Sequence, residues 1–128
     1  RAYIRRQWSR ATDGVGYSFA IAEADGRAVG QIGLWPGAHG RASVGYWVAK
    51  SARGRGCARL GMQTIAAWAL DELRIPRLEL HVEPWNAASW QSAERAGFTR
   101  EGLLRSWQEI GGERRDMYVY SRIASDAA

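Results

Sequence analysis

The chain has 128 residues, 46% of them apolar and 24% charged, and 18 Lys and Arg against 13 Asp and Glu give a net charge of +5. This length suits one domain, 1–128, that buries about two-thirds of its unfolded surface, and no apolar run approaches the roughly 20 residues of a membrane helix. A lone cysteine, Cys57, excludes an intrachain disulfide framework and fits a reducing cytoplasm, and with only two separated histidines no metal site is expected.

Residues 1–10 read as the end of a helix whose earlier part precedes the sequence. Residues 17–23 alternate, with Tyr17, Phe19 and Ile21 on one face and Ser18, Ala20 and Ala22 on the other, which is the period of a strand. The pair Asp25-Gly26 predicts a hairpin into a second strand over 28–35, and a glycine-rich connection through His39 leads to a third over 42–49. From 56 to 74 the apolar period becomes helical, through Met62, Ile65, Ala66, Ala69, Leu70 and Leu73, and Pro76 ends that run. Residues 77–83 form the next strand. Asn86 is suited to cap a short helix over 87–96, closed by Gly97. The segments 103–110 and 115–122 alternate around Gly111-Gly112 as a final hairpin. The order predicts an α/β (α+β) domain: a mixed, mostly antiparallel sheet with helices on both faces and a central strand-helix-strand crossover.

The segment Arg53-Gly54-Arg55-Gly56-Cys57-Ala58 leaves a strand and enters a helix. Glycines there let backbone N–H groups converge on an anion, and the helix N-terminus adds unpaired donors and partial positive charge. Arg53 and Arg55 add forked donors suited to phosphate oxygens, so a pyrophosphate fits the loop. The Walker and dinucleotide fingerprints are both missing, and a tight structural turn remains the plain alternative.

These residues resemble the GNAT acetyltransferase superfamily, whose phosphate-loop signature Gln/Arg-x-x-Gly-x-Gly/Ala is matched by Arg53, Gly56 and Ala58. Asn86-x-x-Ser89, Glu94-Arg95-Ala96-Gly97-Phe98, Glu101-Gly102, Gly45-Tyr46-Trp47-Val48 and Arg115-Asp116 resemble the branch that includes ribosomal-protein N-terminal acetyltransferases. The resemblance covers about residues 17–123 and implies acetyl-CoA as co-substrate. It also implies that the strands at 42–49 and 77–83 run parallel and splay, with the pantetheine arm in the opening against the backbone of Trp47 and Val48. By the same resemblance, Arg53, Gly54, Arg55, Gly56, Cys57 and Ala58 hold the pyrophosphate. Asn86 and Ser89 reach the arm and thiol, and Arg95 reaches the adenosine phosphates. The family's first strand and helix are expected to be missing from the start of the chain.

The implied reaction is direct attack of a neutral primary amine on the thioester in a ternary complex, with Ser89 serving the departing thiolate. The base is harder to place. Gln108 occupies the matching position on the closing hairpin and cannot take a proton, which leaves Glu109 beside it and Glu83 as candidates. His39 is an outside candidate, and His81 reads as an ordinary strand residue. A site lacking a strong base leans toward a peptide N-terminus, because an α-amine of pKa near 8 is roughly 10% neutral at pH 7. Trp35, Trp47, Trp85 and Trp107 are suited to wall an acceptor cleft. The alternatives are a small-molecule acceptor (antibiotic, polyamine or amino acid) or a non-catalytic acyl-CoA-binding module. Membrane and direct nucleic-acid partners are not expected, whereas a homodimer is compatible with the tryptophan-rich surface.

Overall fold

The structure is a computed structural model that describes residues 3–7 in backbone, 16–54 and 56–126. Seven strands form one sheet in the order β1-β2-β3-β4-β5-β7-β6. They are β1 (Tyr3–Gln7), β2 (Tyr17–Ala22), β3 (Ala28–Pro36), β4 (Arg41–Val48), β5 (Arg77–Val82), β6 (Thr99–Ile110) and β7 (Glu113–Ile123). Two α-helices are inserted among the described residues, α1 (Cys57–Asp71) and α2 (Ala87–Arg95). Every pairing is antiparallel except β4 with β5, which is the crossover made by α1. The predicted mixed sheet with its central β-α-β unit is therefore the fold.

Three boundaries differ most from the sequence expectation. Tyr3–Gln7 is a strand paired with Gln7↔Ser18 to Tyr3↔Ala22, not the tail of a helix. Helix α1 stops at Asp71 because Arg74 takes a left-handed conformation, φ 56°, ahead of Pro76. Strand β6 begins at Thr99 rather than 103, because a bulge between Arg100 and Gly102 carries Glu101-Gly102 within the ladder.

One face of the sheet supplies the core. Phe19, Ile21, Ile32, Leu34, Val44, Val48, Leu78, Leu80 and Tyr120 are buried there beneath both helices. Met62, Ile65 and Leu70 project from α1 into this layer, each burial stabilising by about 1.5–3 kcal/mol. Trp68 closes one end, edge-on to Tyr17 and Phe19. Helix α2 meets α1 where Gln63 Nε2 donates to the Arg95 carbonyl, so both described helices share this face. The other face presents the alternate residues, including Trp35, Trp47, Glu79, His81 and Glu83.

Strand β6 is fastened across the sheet by ions. Arg77 on β5 forms a two-pronged pair with Glu101 on β6, at 2.9 and 2.8 Å, and its Nε also meets Glu79 at 2.8 Å. Ser121, on the intervening β7, donates to the same Glu101. Among the described residues no helix is long and apolar enough to cross a membrane.

Candidate active site

Strands β4 and β5 pair only over Arg41–Ser43 and Arg77–Glu79, then part. The gap is a cleft of about 260 Å³ lined by Val44–Tyr46, Leu80–Glu83, Asn86, Ser89 and Met117. Side chains alternate along a strand, so its two sides differ in chemistry. Tyr46, Leu80 and Val82 belong to the helix side, and Gly45, His81 and Glu83 to the other.

On the helix side, the Tyr46 hydroxyl lies 2.6 Å from Ser89 Oγ. Burial pushes the Tyr46 phenol above its ordinary pKa of 10.0, with the Ser89 hydrogen bond pulling partly against it. The pair therefore stays protonated at neutral pH. Ser89 is held by its own backbone, because Asn86 Oδ1 caps α2 by accepting from the Ser89 N–H at 3.3 Å. Trp90 then fixes the helix by donating from Nε1 to the Pro84 carbonyl.

The loop after β4 leads onto the same side. It turns through residues Lys50–Ala52, where Ala52 is buried, and Arg53 Nε folds back to donate to the Val48 carbonyl at 3.2 Å. Gly54 and Gly56 both have positive φ, 82° and 76°, and a Cβ on either would meet nothing within 4 Å. The open space outside those glycines faces the first turn of α1, whose leading N–H groups lack intrahelical acceptors. That combination suits an anion with oxygens on several sides.

The expected cofactor residues fall into three groups. Arg53, Gly54, Gly56, Cys57 and Ala58 are brought together at the α1 N-terminus, where Cys57 is buried. Arg55 lies outside the described residues. Asn86 and Ser89 line the cleft itself, while Val48 is buried and contributes its carbonyl to Arg53. Trp47 points to the opposite face, 56% exposed, with Nε1 3.4 Å from Gln31 Oε1. Arg95 ends α2 beside the second turn of α1.

The proposed bases separate. Glu109 pairs with Arg114 next to the hairpin tip, is exposed, and is not part of the cleft lining. Glu83 lines the cleft, with Arg115 Nη1 3.4 Å from its carboxylate. His39 sits in the turn between β3 and β4 at φ 58°, away from the lining residues. His81 does line the cleft, and its ring stacks on Trp107 with centroids 5.7 Å apart and planes 10° from parallel. Of the four tryptophans expected as a wall, Trp107 covers His81 and Trp35 backs Gly45, while Trp85 is 71% exposed. Tyr46, named only within the Gly45–Val48 motif, and His81, read as an ordinary strand residue, are polar cleft residues to which the sequence assigned no role in the site. Each carried a signal, since Tyr46 alternates in phase with buried Val44 and Val48, and His81 alternates with buried Leu80 and Val82.

A family model described as "Acetyltransferase (GNAT) domain" matches residues 1–99. "Probable N-acetyltransferase YjcK" of Bacillus subtilis is 32% identical over 114 residues, 86% of this chain and 63% of that protein. "Putative ribosomal N-acetyltransferase YdaF" of the same species is 31% identical over 81 residues, 63% of this chain and 44% of that protein. Among solved structures, Mycobacterium smegmatis RimJ in complex with CoA-disulfide superposes with a TM-score of 0.83 at 32% identity. That match covers 92% of this chain and 57% of the RimJ chain. The chain thus spans under two-thirds of the length of these relatives. Its matched residues, fold and splayed central strands agree on one conclusion: the chain belongs to the GNAT acetyltransferase family.

Proposed function

We propose that this protein is an N-acetyltransferase that moves the acetyl group of acetyl-CoA to a primary amine by direct attack in a ternary complex. One observation carries the reading. The glycine-rich loop at the α1 N-terminus and the Tyr46–Ser89 hydroxyl pair lie on the same side of one opening in the sheet. A phosphate-bearing cofactor with a long thioester arm matches that layout, its pyrophosphate on Arg53–Ala58 and its arm in the cleft. RimJ, solved with a CoA derivative, supports the choice of cofactor.

In this reading the amine nitrogen attacks the carbonyl carbon, the C–S bond breaks, and the thiolate takes a proton through Ser89 and Tyr46. Holding both reactants in line supplies much of the acceleration. A protein N-terminus is the proposed acceptor. The ribosomal designation of YdaF supports it, as does an α-amine's larger neutral fraction. A cytoplasmic setting, for which the single buried Cys57 is suited, and a homodimer belong to the same reading.

The test is acetyl transfer to tripeptides beginning with Ala or Ser, followed by release of the CoA thiol, with spermidine as the competing acceptor. Transfer to the peptides supports the proposal. Transfer to spermidine alone moves the acceptor to small molecules. Tight acetyl-CoA binding with no transfer to any amine indicates a module that holds acyl-CoA without turnover.

A further inference from the structure

The side of the cleft opposite Tyr46 and Ser89 holds Gly45, His81 and Glu83. Trp107 reaches His81 because β6 is bulged there. Three residues of β6 lie between Leu104 and Gln108, whereas one residue of β7 lies between their partners Met117 and Arg115. The bulge is pinned at both ends of Ser106. Its N–H donates to Asp116 Oδ1 at 2.7 Å, and its carbonyl accepts from Arg114 Nη2 at 2.6 Å. Ser106 itself is left-handed, φ 52°, a conformation that a non-glycine residue keeps only where its surroundings over-determine it. A pinned bulge that re-aims one aromatic side chain over one imidazole is a device for fixing that imidazole.

The carboxylates near His81 are engaged. Glu83 pairs with Arg115, and Glu79 with Arg77 and, at 3.9 Å, Arg41. Across the ladder His81 faces apolar Val119 on β7. On this side of the cleft β4 presents Gly45 and β6 the Trp107 ring, neither of which is charged. We infer that His81 is the general base, receiving a proton from the acceptor amine on the side of the cleft opposite the cofactor. This rests on the acetyltransferase reading above. The acceptor ammonium gives one proton to the imidazole, which passes it to solvent. The neutral amine then attacks, and the proton it loses on becoming an amide goes to the thiolate through Ser89 and Tyr46. Burial keeps the imidazole below its ordinary pKa of 6.5, with Glu79 opposing and Arg77 adding to that shift, so it is neutral and ready to accept at pH 7.

The experiment compares wild type with His81→Gln, using acetyl-CoA and an Ala-Ala-Ala peptide across pH. The variant should bind acetyl-CoA within about twofold of wild type by titration calorimetry. Its kcat/KM should fall about 10²- to 10⁴-fold. In wild type, kcat should decline as pH falls through a value below 6.5, and that acidic limb should vanish in the variant. A kcat/KM within about threefold of wild type, or a retained acidic limb, overturns the assignment. If wild type transfers acetyl to no amine, the acetyltransferase reading fails and the base assignment that rests on it fails with it, whereas an active wild type with an equally active Gln variant overturns the base assignment alone.

Discussion

Replacing Gly56 by Glu separates the cost to the fold from the cost to cofactor binding. Gly56 stands at the cap of α1 with φ 76° and ψ 12°. A left-handed residue with a Cβ costs about 1–2 kcal/mol, and no clash adds to this because a Cβ at Gly56 meets nothing within 4 Å. A carboxylate at a helix N-terminus returns about 0.3–1 kcal/mol. The net loss is about 1 kcal/mol, a fall of about 3–5 °C in Tm. Binding should suffer more. One carboxylate about 5 Å from one pyrophosphate charge, at an effective dielectric of about 20, costs about 3 kcal/mol before salt screening. We expect Kd for acetyl-CoA to rise about 30- to 300-fold. Gly56→Ala carries the same backbone cost without charge or dipole compensation, so it should melt at or below the Glu variant yet bind acetyl-CoA far better. Thermal denaturation and titration calorimetry read the two quantities. Equal affinities for the Ala and Glu variants, or a Glu variant within threefold of wild type, would refute a pyrophosphate on this loop.

Tyr46→Phe and Ser89→Ala should each lower kcat about 10- to 100-fold and the double variant little further, because the two hydroxyls form one pair 2.6 Å apart; additive losses would show that they act separately. Asn86→Ala removes the cap of α2 and should cost about 1 kcal/mol by urea denaturation, whereas Asn86→Asp should hold stability near wild type. Glu101 is held down to about 2 by Arg77 and then by Ser121, below its ordinary 4.5. A folded pKa below the unfolded one gives stability that is present above about pH 4.5 and is lost as pH falls toward 2. Since Glu101 is partly exposed, Glu101→Gln should cost about 1 kcal/mol at pH 7, and the difference should shrink below pH 4.5. A wild-type-to-variant gap that is constant from pH 7 to pH 3 would contradict that origin.

Most of the ladder was legible because period and punctuation are local. The alternation at residues 17–23, the Asp25-Gly26 turn and the helical spacing of Met62, Ile65 and Ala69 each specify their element without help from distant chain. The opening strand was not legible. Tyr3–Gln7 carries Arg5 and Arg6 in its middle, and its strand character comes from pairing with Gln7↔Ser18 through Tyr3↔Ala22, a partner supplied by tertiary structure. The Ser106 bulge was hidden for a similar reason. Its cause is Asp116 and Arg114 on the neighbouring strand, so alternation across 103–110 read as regular where the chain in fact inserts extra residues.

The same distinction explains why the cofactor side of the cleft was easier to read than the acceptor side. The proposed pyrophosphate site is a run of consecutive residues, Arg53 to Ala58, whose glycines and helix start are visible in order. The Asn86 cap and Ser89 are likewise three residues apart on one helical turn. The opposite side is assembled across strands. His81 gains its significance from Trp107, 26 positions later, and Glu83 gains its partner from Arg115, 32 positions later. In sequence, Glu83 and Glu109 look like equivalent strand carboxylates. In the fold, one lines the cleft against an arginine and the other stands near an exposed hairpin tip, which is why the proposed base is the neighbouring imidazole.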